Sequence, residues 1–324
     1  MATGKASDFV VYNEQMRGGI IEVLTQASNY FNSAGGVLRL TTRSAIGEFV
    51  KESFLANIAN AVTRRDLTSV ADVTDLAQAM GEIVSVKINR KYGPVGQTLD
   101  SFRKVGMDSS PEALSYLIGT QVAKGMEVDM LNNAIRAGVT ALKNAAAVNY
   151  DGSAGTMTAS RLQYGVAKFG DKSGAIRAFI MHSKAYHDLV QHQLTPANAG
   201  ETATGAVVYG GTPATLGRPV IVTDSTALML DDSPDLYYTL GLTENGLVVE
   251  NTEEEQIVQE LVTGKENLLV RLQGEWAYNL GVKGFKYNTA QGANPTDAIV
   301  ATAASWTASA SSYKDYAGVC ITTR

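Results

Sequence analysis

The chain has 324 residues, 45% of them apolar and 18% charged, with a formal net charge of −5. That apolar share excludes wholesale disorder, and the acidic sign argues against a reader of double-stranded DNA, which needs a basic face. One cysteine and three histidines exclude an internal disulfide and leave most metal and nucleophile chemistry without its residues, so composition points away from an enzyme.

The length allows one large or two modest domains. No apolar run reaches the ~18 residues of a membrane span, and the start holds no stretch of signal-peptide type. The chain is therefore expected to fold in a cytosol, away from membranes.

Residues 1–36 end in Asn32-Ser33-Ala34-Gly35-Gly36 and read as an arm with one short helix over 19–30. Ile46, Val50, Phe54, Ile58 and Val62 recur every four residues and predict a helix. Val84, Val86 and Ile88 then alternate with Ser85, Lys87 and Asn89, as in a half-buried strand. Gly93-Pro94 is expected to stop that strand, and a second strand near 97–102 to pair back on it. The excursion over 37–107 shows no core of its own. A lone hairpin is marginal in water, so something else must support it.

The clearest element covers 110–145. Ser110 suits an N-cap, Pro111 the first helical position and Glu112 the positive end of the dipole. Apolar residues from Leu114 to Leu142 keep helical spacing, and an unbroken helix here is roughly 50 Å long at 1.5 Å per residue. Gly119, Gly125 and Gly138 are expected to mark bends or close packing. Further on, 160–169 reads as helix, 176–181 as strand, and 183–193 as a helix capped by Ser183. Strands are predicted over 219–223, 236–242, 247–250, 268–272 and 276–282, with Asn245-Gly246 as a hairpin turn. After Tyr287 the Ala-, Thr- and Ser-rich tail carries little pattern beyond a strand near 317–322.

Candidate chemistry is sparse. His182, His187 and His192 recur every five residues, whereas a two-histidine zinc helix uses a spacing of four. Residues Gly165 to Ser173 resemble a phosphate loop only loosely, because Asp171 follows the second glycine where the motif needs Lys. Glu253-Glu254-Glu255 reads as a solvated loop or helix start, and Asp231-Asp232 before Ser233-Pro234 as a turn. No catalytic residue, metal site or cofactor is implied. The densest basic positions are Arg64, Arg65, Lys87, Arg90 and Lys91. All five lie in the segment that lacks its own core, which makes them candidate intersubunit contacts. Replacing Arg90 and Lys91 by Glu is expected to impair assembly and leave folding mostly intact.

The ordered set of elements resembles the major capsid proteins of tailed bacteriophages, with the α+β Hong Kong 97-type fold. Phe179-Ile180-Met181-His182-Ser183-Lys184-Ala185-Tyr186 is similar to that family's strand running into a peripheral-domain helix. Leu216-Gly217-Arg218-Pro219-Val220-Ile221-Val222-Thr223-Asp224 resembles its axial-domain strand, and Tyr238-Thr239-Leu240-Gly241-Leu242 with Asn245-Gly246 the hairpin after it. The run from Trp276 to Tyr287 is similar to its closing strand. The likeness covers 37–288.

The resemblance implies an N-terminal arm over 1–36, an extended loop over 37–107 and a peripheral domain over 108–195 with a spine helix at 111–145. It further implies an axial domain over 196–275 and a return strand over 276–288; the C-terminal tail over 289–324 departs from the short ending the family leads one to expect, with an extra contact or surface decoration as the candidate role. It implies self-assembly into pentamers and hexamers of an icosahedral, DNA-containing shell, assembled in the host bacterial cytoplasm. The implied partners are further copies of the chain, a separate scaffolding protein, a portal, decoration proteins and packaged DNA contacted without sequence specificity. An encapsulin-type nanocompartment, or another virion structural protein, would share much of this pattern.

Overall fold

Runs of β-branched and apolar residues build two large sheets joined by one long helix, and a small two-stranded sheet near the C-terminus, among the described residues. The computed structural model describes residues 36–42, 47–55, 64, 65, 67–69, 72, 80–98, 111–194 and 215–324. In chain order the strands are β1 (Leu38–Thr42), β2 (Phe49–Leu55) and β3 (Met80–Thr98), followed by helix α1 (Pro111–Asn144). Then come β4 (Asn149–Asp151), α2 (Ala159–Ala167), β5 (Ile176–Met181), α3 (Ser183–Leu194), β6 (Val220–Val222) and β7 (Met229–Leu230). The chain closes with β8 (Leu236–Thr243), β9 (Leu247–Val262), β10 (Leu269–Val282), β11 (Phe285–Tyr287), α4 (Asp297–Val300), β12 (Trp306–Ala308) and β13 (Gly318–Thr323).

The first sheet has the order β1-β9-β10-β3-β2 and the second β4-β13-β8-β5-β6, with β7 on β8. Helix α1 packs on β9 and β10 of the first and on β13, β4 and β8 of the second. Met126, Ile135 and Leu142 are fully buried along it. Each such side chain contributes about 1.5–3 kcal/mol by leaving water. A Cβ on Gly138 would lie 2.8 Å from Leu247 Cδ2 and 3.4 Å from Leu240 Cδ1, so this glycine lets the helix approach both sheets at once. Gly125 faces open space instead, and the helix runs through it unbroken.

Several sequence expectations need correction. Val50 and Phe54 lie in β2, not in a helix, because that segment gains a ladder partner in β3. Ile46, Ile58 and Val62, the arm over 1–35, Ser110 and residues 99–102 lie outside the described residues. Gly93-Pro94 does not end a strand. β3 continues through it, with Gly93 at φ 76° and a register shift between Leu272 and Gly274 on the facing β10. A bulge of this kind absorbs the local irregularity and lets the pairing resume. β3 therefore pairs with β10 on one side and with the earlier β2 on the other, not with a strand at 97–102, and Val84, Val86 and Ile88 are buried in the chain's own core.

Asn245-Gly246 is a corner and not a hairpin turn. It carries the chain from β8 in one sheet to β9 in the other. Asn245 sits at φ 53° and its N–H donates to the Gly36 carbonyl at 2.8 Å, which docks the start of β1 against the corner. Glu253 to Glu255 lie inside β9, held by pairing with β10, and the two strands expected over 268–282 are one. α2 takes its N-cap from Thr158, whose side chain accepts the Arg161 N–H. His182 Nδ1, not Ser183, accepts the Lys184 N–H at 3.1 Å at the head of α3.

The segment after Tyr287 is not a surface tail. β13 inserts between β4 and β8, and Val319, Cys320 and Ile321 are fully buried. Its run of β-branched residues suits a strand covered on both faces. A boundary at 195 would also part β5 from its hydrogen-bonded neighbour β8, and one at 275 would cut β10. Packing thus divides the molecule by sheet, with the described residues of 149–194, 215–243 and 318–323 in one unit.

Candidate assembly surface

β1 ends at Thr42, opposite Asn251, and β2 reaches β3 only as far as Val86. Among the described residues, β9, β10 and β3 continue past these points as a three-stranded ribbon over 256–262, 269–275 and 91–98. At ~3.3 Å per residue it is roughly 25 Å long. Leu272 and, half-buried, Ile257 and Tyr92 extend the core outward along it. Val258 is nevertheless 67% exposed, Val95 44% and Leu268 42%. A shallow groove on the ribbon is lined by Gln256, Val258, Glu260, Arg271, Gln273 and Glu275. Opposite charges face each other in register, Arg271 against Glu260 and Lys91 against Glu275. Val95 shares a face with Leu272 and Val258 with Gln273, so the two exposed valines lie on opposite faces of the ribbon.

The five basic candidates separate here. Arg64, Arg65 and Lys91 are exposed. Lys87 is buried and donates to the Glu253 carboxylate. Arg90 is the centre of a clamp inside the chain. Its Nε donates to Asp129 Oδ2 at 2.9 Å and its Nη2 to Asp297 Oδ1 at 2.5 Å. Tyr278 OH donates to the same Asp129 oxygen at 2.9 Å, and Asn133 Nδ2 donates to Tyr278 OH at 2.9 Å. Arg136 Nη1 donates to Asn133 Oδ1 at 2.8 Å and lies 3.3 Å from Asp297 Oδ2. Burial works against the charge on Arg90, but Tyr278, Asp297 and Asp129 outweigh it and raise its pKa. Burial, followed by the charge of Asp129, holds the Tyr278 phenol well above its ordinary range.

These contacts join β3 and β10 to one face of α1. Asp129, Asn133 and Arg136 follow one another at i, i+4 and i+7, a polar stripe on a largely buried helix. That spacing was readable in the sequence as a polar stripe, but it does not say that Arg90 meets it at Asp129. Tyr278 and Asp297 carry no such local signal, because they meet the stripe only through long-range folding.

The other sequence candidates serve local roles. His182 Nε2 lies 3.7 Å from Asp224, and His187 packs edge-on against Tyr186. Asp171 pairs with Lys314 at 2.6 Å at a 3-10 turn over Gly170–Ala175, which occupies the phosphate-loop-like string. Asp232 accepts the Ser233 N–H within its turn. Cys320 is fully buried, which pushes its thiol up to about 12. Among the described residues no group of three or more His, Cys, Asp or Glu is placed to hold a metal, and no helix is long and apolar enough to cross a membrane.

The family described as Gp13-like, major capsid protein 13-like, matches residues 8–320. None of the curated proteins matches by sequence. Among solved structures, a chain of Microbacterium phage Oxtober96 is similar at TM-score 0.54 and 14% identity, covering 90% of this chain and 91% of that one. The acid-stable capsid of Helicobacter pylori bacteriophage KHP30 gives TM-score 0.52 at 9% identity, covering 91% of each chain. The head structure of Helicobacter pylori bacteriophage KHP40 gives 0.50 at 10% identity, again covering 91% of each.

Proposed function

This chain belongs to the major capsid protein 13-like family, and from that premise we propose how its parts build a shell. It is a major structural subunit of a tailed-phage head, with the α+β capsid fold of Hong Kong 97 type, and it self-associates in the virion. The ribbon of β9, β10 and β3 is our candidate for the part laid against a neighbouring subunit. The observation that carries this reading is that Val258 on one face and Val95 on the other are exposed on strands that outrun both β1 and β2, with Leu268 exposed in the connection between β9 and β10.

We assign the second sheet to the axial part, packed around five- and six-fold axes. The first sheet, with α1, is the peripheral frame and the root of the extended loop. Residues 1–36 act as an arm. Head-to-tail contacts of this kind close into rings, and their sum holds a shell even when each contact is weak. Scaffold, portal and decoration proteins act as separate partners, and assembly takes place in the host cytoplasm. The acidic chain lets DNA spool against the wall with little sticking. The role is mechanical, with no catalytic step.

Negative-stain microscopy of the expressed chain, with and without a scaffold protein, tests this reading. Closed shells or capsomer rings are expected. A compact monomer at high concentration that gives neither form under both conditions would overturn it.

A further inference from the structure

The outward N–H groups of β3 are taken up in sequence by two distant parts of the chain. β2 covers the edge to Val86, then Lys87 N–H donates to the Glu48 carbonyl at 3.0 Å. Two residues on, Asn89 N–H donates to the side chain of Asn294 at 2.9 Å. Alternate residues of a strand point their N–H groups to the same side, so Asn294 occupies the place a continuing β2 would take. Asn294 belongs to a lobe over 288–305 whose ends meet, with Asn288 N–H donating to the Ser305 carbonyl at 2.9 Å. The lobe is internally braced. Val300 is fully buried, and Trp306 Nε1 donates to its carbonyl at 3.0 Å. Asp297 on the same lobe spans the two arginines, one oxygen on Arg90 of β3 and the other on Arg136 of α1.

We propose that the 288–305 lobe is a clamp: Asn294 terminates edge pairing along β3, and Asp297 fixes the angle at which the ribbon leaves α1. Both arginine contacts of Asp297 are partly open to water, with the Asp297 side chain 45% exposed. Loosening them therefore leaves the core intact while freeing the ribbon.

The test is hydrogen exchange on the full, unassembled chain carrying Asp297→Asn, alone and with Asn294→Gly, which keeps the left-handed backbone at that position. Loss of the Asp297 charge, which weakens the bond to Arg90 and removes the ion pair with Arg136, should speed exchange about tenfold over 89–98 and 269–277. Amides of β5, β8 and β13 should keep their rates. The unsubstituted chain in about 1 M salt, which screens half-exposed pairs, should show a smaller change at the same places. No change at the ribbon, or an equal acceleration in both sheets, would overturn the proposal. This readout does not depend on shell formation, so it stands or falls separately from the assembly reading. In assembled material, the same variant should broaden the spread of particle diameters.

Discussion

The second sheet and the ribbon are both β-structure, yet they hold together on different terms. β13 and β8 lie in the middle of their sheet, packed against α1, with Leu240, Leu242, Val319 and Ile321 fully buried. The ribbon is three strands wide and leaves Val95, Val258 and Leu268 exposed. The first region encloses its own apolar surface; the second leaves apolar side chains exposed, which the proposed assembly would cover with a neighbouring subunit. A shell subunit needs both, because the enclosed part gives every copy the same shape and the open part gives copies something to hold.

Substitutions can break that contrast, beginning with the core. Phe179→Ala, at a fully buried position on β5, should cost about 3–5 kcal/mol in denaturant unfolding and abolish soluble protein before assembly can be scored. Arg90→Glu should come next. It places a carboxylate beside Asp129 and Asp297, and the expected loss is about 2–4 kcal/mol, below the fully buried limit because Asp297 is partly open. Lys91→Glu, one residue away and exposed, should change unfolding by less than about 0.5 kcal/mol. The paired substitution that reads from sequence as an assembly defect is thus expected to divide into a folding defect at Arg90 and an assembly defect at Lys91. Val258→Asp should likewise leave the melting temperature within a few degrees while removing shells in microscopy.

The smallest effect concerns Cys320. Burial favours its neutral thiol, so its folded pKa lies above the unfolded value. The unfolded chain loses that proton first as pH rises. The associated stability is therefore intact below the unfolded thiol's pKa of ~8.5 and declines as pH climbs from there toward 12. Thiol-reactive dye should leave the native chain unlabelled at pH 8 and label it once denaturant is added. Ready labelling without denaturant would place Cys320 outside the core.

Local pattern carried much of this architecture. The helix over Pro111–Asn144, the strand over Ile176–Met181 and the helix from Ser183 were readable from caps and periodicity. What failed was partnership. Asn245-Gly246 looks like a hairpin turn because its chemistry permits one; which sheet the next strand joins is decided by Val37 and Gly36, more than two hundred residues away. Gly93-Pro94 breaks most strands, but here a bulge on β10 carries the pairing across it. The strand near 317–322 was legible in the Ala- and Thr-rich tail, but its insertion between β4 and β8 was not, because a strand buried on both faces shows no alternation to say what covers it. The basic residues were found by composition, but their sorting into Arg90 inside and Lys91 outside depends on Asp129 and Asp297, which no local spacing connects to β3.

Amide protection measured on the same chain, first as free subunits and then in purified shells, puts the central claim to its most direct test. Residues 91–98, 256–262 and 269–275 should gain protection of about a hundredfold or more on assembly, while β5, β8 and β13 change little. Full protection of those ribbon amides already in the free subunit, with no gain in the shell, would contradict the claim that the ribbon is held by its neighbours.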